Sequence, residues 1–185
     1  MRHKPFIQVM REQVSEPLGL KNTSPDPVDP HEAGLLHGYV ALSGERVDTT
    51  GNVFDGGSPT SGAVSTVEDK NRFMAGLFQG RALSAASLKE MKTSPGLAPY
   101  RLGMWEHSDG CSINSRHQGR GNFWEHQTVA ASSGDGRYQA AMAVTMPPLP
   151  TDLEDESSYR KRGLVNDQIE SSLNETLDRL CVPAT

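Results

Sequence analysis

Gln127-Thr128-Val129-Ala130-Ala131, then Ser133-Gly134-Asp135-Gly136, then Tyr138, Ala140, Met142, Val144 and Met146 on alternate positions together predict a β-hairpin over residues 127–146. β-Branched and small apolar residues suit a pleated, half-buried surface, Gly-Asp-Gly supplies the turn, and a period of two turns one face toward a core. Pro147-Pro148-Leu149-Pro150 then breaks the sheet, because proline has no N–H to give to a ladder. After a polar stretch, Val165, Ile169, Leu173 and Leu177 recur every fourth residue, with Leu180 completing the face. That pattern predicts an amphipathic terminal helix able to lie across the sheet.

Upstream of the hairpin, Leu102-Gly103-Met104-Trp105 reads as a further strand. Before it the signals are helical. Ser84 is placed to cap a short helix carrying Leu88 and Met91, and Ser65-Thr66-Val67-Glu68 fits a capping box ahead of the stripe Phe73, Met74, Leu77 and Phe78, with Gly80 as its stop. His37–Leu42 is a short apolar run entering a turn at Ser43-Gly44, and residues 52–62, rich in Gly, Ser, Pro and Thr, read as a loop. At the N-terminus, Pro5 opens a helix with Phe6, Val9, Met10 and Val14 on one face. Glu16-Pro17 is expected to end it, reinforced by Gly19, and a loop follows over residues 21–29. The order is helices and loops over residues 1–95, then antiparallel strands and one closing helix over residues 100–185. This is an α+β layout in a single domain, with the last helix packed on the sheet.

Composition narrows what such a domain can do. At 185 residues it is one ordinary domain or a large piece of a bigger one. No apolar run reaches the 18 residues of a membrane-spanning candidate, and Met1-Arg2-His3-Lys4 does not lead into the apolar core of a secretory signal. With 18 Lys+Arg against 23 Asp+Glu, the net charge of −5 argues against a nucleic-acid partner. Two cysteines are too few for a disulfide scaffold or a four-cysteine zinc site. His107, Asp109, Cys111, His117 and His126 crowd into twenty residues, but their spacing fits no standard metal motif and strand alternation sends several to opposite faces. No metal and no cofactor are expected.

Three stretches in order resemble the serine penicillin-recognising hydrolases: class C β-lactamases, D-alanyl-D-alanine carboxypeptidases and related esterases. Glu16-Pro17-Leu18-Gly19-Leu20-Lys21-Asn22-Thr23 is similar to that family's Glu-Pro-Leu-Gly-Met-Lys-Asp-Thr segment. Residues 61–69, followed by Arg72-Phe73-Met74, resemble its Gly-Gly-hydrophobic-Ser-Thr-Ala-Glu-Asp helix start. Leu102-Gly103-Met104-Trp105 followed by His117-Gln118-Gly119 resembles its Gly-Leu-Gly-Trp strand and His-Thr-Gly motif. His37-Gly38-Tyr39 and the ending Asp178-Arg179-Leu180-Cys181 resemble the carboxypeptidase branch in particular.

The resemblance implies a β-lactamase/transpeptidase-like fold and an acyl-enzyme mechanism on a D-alanyl peptide, a β-lactam or an ester. It implies an exported, extracellular or cell-envelope location, although no export signal is visible. The family's Ser-x-x-Lys and Tyr-x-Asn motifs stand upstream of its Glu-Pro-Leu-Gly segment, so this chain reads as the C-terminal half, with a missing N-terminal half as partner. Ser158-Tyr159-Arg160-Lys161 and Ser112-Ile113-Asn114 spell similar patterns in the wrong order and read as coincidence. The third motif is expected on an edge strand beside the serine. His117 would tune the proton relay as a cationic or hydrogen-bonding group, Gly119 would let the substrate backbone approach, and the Arg120 N–H would donate to the oxyanion. Gln118 would stand in the substrate-carboxylate subsite, where the family has Thr or Ser. Cys111 and Cys181 match cysteines of the carboxypeptidase branch and are either bridged or two free thiols. Inactive alone, such a chain is half of a hydrolase; the alternative is a non-catalytic remnant or ligand-binding module of the same fold.

Overall fold

The structure, a computed structural model, describes residues 4–25, 29, 34–50, 62–93, 99–108, 115–123, 125–146 and 156–180. The expected hairpin is present as β5 (His126–Ser133) and β6 (Gln139–Thr145), closed by a turn in which Gly136 takes φ +72°. They extend a four-stranded antiparallel sheet in the order β3 (Trp105–Ser108), β4 (Ser115–Phe123), β5, β6. Strand β3 begins where the sequence reading ended it. Arg101–Met104 form a tight turn instead, closed by the Arg101 N–H on the Met104 carbonyl at 2.8 Å, with Gly103 at φ +81°. A separate hairpin pairs β1 (Tyr39–Leu42) with β2 (Glu45–Asp48) through the expected Ser43-Gly44 turn, where both residues have positive φ.

Helices cover both faces of the sheet. On one face lies α5 (Glu156–Leu180), which buries Ile169, Leu173 and Leu177 against Val129, Ala131, Ala140 and Met146. Each such buried aliphatic side chain contributes roughly 1.5–3 kcal/mol over its exposed state. Leu180 does not complete this face as expected; it is 47% exposed past the end of the sheet. On the other face, α3 (Val67–Phe78) packs Met74, Leu77 and Phe78 on Ala130 and Met104, flanked by Leu88 and Met91 of α4 (Ala85–Thr93). Alanines at 130, 131, 140 and 141 keep the middle of the sheet thin enough for helices to approach from both sides.

The cap of α3 sits one residue later than the capping box was placed. Thr66 accepts from the Asp69 N–H at 3.2 Å, so Asp69 occupies the third helical position that had been given to Glu68. The shift matters because the fully buried Asp69 carboxylate accepts from the Asn22 N–H (2.7 Å), the Thr23 hydroxyl (3.0 Å) and the Arg72 guanidinium (2.7 Å). It thereby binds the first segment to the sheet-covering helix. Leu18 completes the contact by filling the space over Gly76, where a Cβ would come 2.5 Å from a Leu18 methyl.

That first segment does not end at Glu16-Pro17. Helix α1 (Phe6–Met10) runs through a π-helical turn (Arg11–Ser15) into α2 (Glu16–Leu18), and Gly19 closes it at φ +66°. A proline inside a helix lacks an N–H and crowds the preceding turn. The wider π turn just before Pro17 accommodates both defects, so the chain keeps its axis until the glycine.

Candidate acyl-transfer site

Strand β4 carries the candidate residues, and the ladder fixes which way each peptide and side chain faces. The Ser133 N–H bonds to the Tyr138 carbonyl and the Met146 N–H to the Glu125 carbonyl, so odd-numbered residues of β5 direct their backbone groups to β6. Even-numbered residues of β5 therefore face β4, where their partners are Gly119 for Ala130, Gly121 for Thr128 and Phe123 for His126. It follows that the backbone groups of His117, Gly119 and Gly121 point toward β5, whereas those of Gln118, Arg120 and Asn122 point to the side of β3. Pairing with β3 runs only from Ser115 to Gln118. Past Gln118, the outward peptide groups of Arg120 and Asn122 have no strand partner among the described residues.

The expectation of an edge strand is thus corrected in part. His117 and Gln118 lie between β3 and β5, in the interior of the sheet; only from Gly119 onward does one side of β4 lack a strand neighbour among the described residues. The cause is the turn at Arg101–Met104, which carries the chain back from Trp105 to pair with Tyr100 and stops β3 short.

Side chains alternate between the two helical layers. His117 faces α3 and stacks on Phe78, with ring centroids 4.7 Å apart and planes 11° from parallel. It is 1% exposed, and burial pulls its pKa down from 6.5 to about 4, aided by Lys92 and Arg101 and opposed by Glu106. His117 is therefore a neutral imidazole near pH 7, able to donate from one ring nitrogen and accept at the other. Lys92 lies 5.1 Å from the Phe78 ring centroid and donates to the Gly134 carbonyl at 2.6 Å. The Ser115 hydroxyl is 3.5 Å from His117 Nε2.

Arg116, Gln118 and Arg120 face the opposite layer. Arg116 pairs with Asp178 and Arg120 with Glu170, each at 2.9 Å. Gln118 between them is fully buried, and neither amide atom has a partner among the described residues. A side chain enclosed beneath α5 offers no atom to a substrate on the His117 face, so the subsite role implied for Gln118 does not fit this packing. Gly119 meets only Met104, whose sulfur would stand 3.5 Å from an added Cβ, an ordinary contact.

His107 is paired across from Arg116 on the α5 side, opposite His117, and His126 donates through Nε2 to the Leu36 carbonyl at 2.6 Å. Among the described residues no three His, Cys, Asp or Glu side chains group as a metal site. Ser158-Tyr159-Arg160-Lys161 falls in the first turns of α5, in the layer opposite His117. Asp109, Cys111, Ser112-Ile113-Asn114 and Cys181 lie outside the described residues. No described helix is long and apolar enough to cross a membrane. Sequence reading missed Glu106, Ser115 and Phe78 around His117; the only local signal was Ser115 two residues before it, on the same strand face.

The sequence profile described as Beta-lactamase matches residues 1–149. The chain belongs to the β-lactamase family. Solved structures with the same fold include a D-stereospecific amidohydrolase from a Streptomyces species, with a TM-score of 0.63, 20% identity, and coverage of 78% of this chain and 45% of that one. A D-amino acid amidase from Ochrobactrum anthropi gives a TM-score of 0.61 at 22% identity, covering 90% of this chain and 53% of the amidase. A penicillin-binding protein from Bacillus halodurans gives 0.60 at 14% identity, covering 88% and 48%. This β-lactamase-family chain therefore spans about half the length of these relatives. No curated protein sequence matches it.

Proposed function

We propose that these 185 residues form the sheet-bearing part of a serine acyl hydrolase cleaving D-alanyl peptides, β-lactams, esters or related D-amino acid amides. The attacking serine and its lysine and tyrosine partners would be supplied outside this sequence. One observation carries the reading. Beside the buried, neutral His117, the pairing of β4 with β3 ends at Gln118, leaving the Arg120 N–H directed outward with no strand partner among the described residues. An outward peptide there would donate to an oxyanion, and the adjoining carbonyl would receive a substrate backbone as an added strand. Gly119 is compatible with the same reading: the described residues leave ordinary room for a Cβ there, and a glycine lets another backbone come closer still. The exported location implied by the family belongs to this proposal as well.

The test is fluorescent penicillin labelling. The isolated chain is expected to form no adduct. Supplied in trans with a family segment carrying Ser-x-x-Lys and Tyr-x-Asn, it is expected to restore labelling of that serine. A stoichiometric adduct on any serine of the isolated chain would overturn the proposal.

A further inference from the structure

Around His117 the sheet assembles three polar side chains that no family motif accounts for. Glu106 is the cross-strand partner of His117. Because the His117 backbone is directed to β5 and the Glu106 N–H bonds outward to the Pro99 carbonyl at 2.8 Å, the two form a non-hydrogen-bonded pair, the arrangement that brings opposed side chains closest. Ser115 shares that face, two residues along β4. Its hydroxyl lies 3.5 Å from His117 Nε2 and is near enough to the Glu106 carboxylate to favour its charged form. Arg101 closes the outer end, with its Nε 2.7 Å from the same carboxylate.

Proton inventory decides the direction of this chain. The Arg101 guanidinium and the Ser115 hydroxyl hold Glu106 ionised, and an ionised carboxylate only accepts. Ser115 has one proton, and the ionised carboxylate is a stronger acceptor for it than the neutral imidazole. The Ser115 oxygen can then only accept from the imidazole, so Nε2 must carry the hydrogen and the lone pair falls on Nδ1. We infer that Glu106 and Ser115 are positioning residues that lock His117 in its Nε2–H tautomer, making Nδ1 the basic nitrogen of the candidate site. The stack on Phe78 holds the ring plane, leaving the relay to choose between the two tautomers rather than between orientations.

The inference rests on the reading of His117 as a site residue, yet its test is independent of acyl transfer. The ring nitrogens of the 15N-labelled 185-residue chain are observed by NMR near neutral pH, with His117 assigned by its loss in His117→Gln. The Nε2–H form is expected to dominate. Ser115→Ala is expected to reduce that preference roughly fivefold, the equilibrium equivalent of one net hydrogen bond, while Ser115→Thr restores it. Glu106→Gln supplies an amide that can donate as well as accept, frees Ser115 to give its proton to the imidazole, and is expected to weaken the Nε2–H preference. A dominant Nδ1–H form in the parent chain, or a ratio unmoved by Ser115→Ala, would overturn the relay and leave the hydrolase proposal standing. Penicillin labelling of the isolated chain would overturn the hydrolase proposal and leave the relay standing.

Discussion

His117 makes the stability of this chain depend on pH in a way that can be isolated by one substitution. Its pKa falls from 6.5 to about 4 on folding, chiefly because burial between the sheet and Phe78 penalises the imidazolium. The folded state then binds the proton less well than the unfolded chain. The stabilisation is complete above pH 6.5 and is lost as pH falls toward 4. A tenfold difference in proton affinity is worth about 1.4 kcal/mol, so the gap between the folded and unfolded chains amounts to roughly 3 kcal/mol in all, with a slope of up to about 1.4 kcal/mol per pH unit inside the window. His117→Gln keeps a polar, planar side chain and removes the titration. Urea unfolding of both proteins at about pH 7, 5.5 and 4.5 is the assay, with the difference in slope as the readout. His107 also has a depressed pKa from burial, but it is present in both proteins and cancels. Parallel pH profiles for parent and variant would refute the claim that His117 is buried and neutral.

Three further outcomes follow from packing. Measured against Arg120→Ala, which already gives up the Glu170 ion pair, Arg120→Pro is expected to change the urea midpoint little, since its N–H points away from the ladder, whereas Gly121→Pro, whose N–H faces β5, is expected to cost about 3 kcal/mol or more. Equal effects at the two positions would refute the strand parity on which the oxyanion donor depends. Asp69→Ala removes the acceptor for Asn22, Thr23 and Arg72 at once and is expected to cost on the order of 2–4 kcal/mol by thermal or urea unfolding. Gln118→Met, which replaces a buried amide lacking partners with a side chain of similar volume, is expected to leave stability unchanged or raise it by up to about 2 kcal/mol. A loss of similar size would show that the amide is hydrogen-bonded after all.

The strands β5 and β6 and the helix α5 were legible because burial on one face writes a period into the sequence: Tyr138 to Met146 by twos, Val165 to Leu177 by fours. Strand β4 was not legible from its residues. Ser-Arg-His-Gln-Gly-Arg-Gly-Asn-Phe has neither alternation nor β-branched residues, because its two faces bury ion pairs, an imidazole and glycines rather than aliphatic side chains. Only the family resemblance of His117-Gln118-Gly119 placed it in the sheet. The outward-facing Arg120 peptide depends on where β3 stops, and a strand end set by a tight turn at Gly103 leaves little trace in composition. The neutral state of His117 was equally hidden, since it depends on Phe78, 39 positions earlier in the sequence. Proline misled the reading at Pro17, where a π turn absorbed a defect that ordinarily ends a helix.

The two ion pairs between β4 and α5 act as a ruler. Arg116 and Arg120 stand four strand residues apart, about 13 Å, while Asp178 and Glu170 stand eight helical residues apart, about 12 Å. Two unlike periodicities agree over this one span, so both pins close in the same position of the helix. Sliding the helix by a single turn, about 5.4 Å, would disengage both. Any force or partner that drew on the C-terminal helix would thus be transmitted lengthwise to the strand that presents the Arg120 peptide, making the far side of the molecule a handle on its rim.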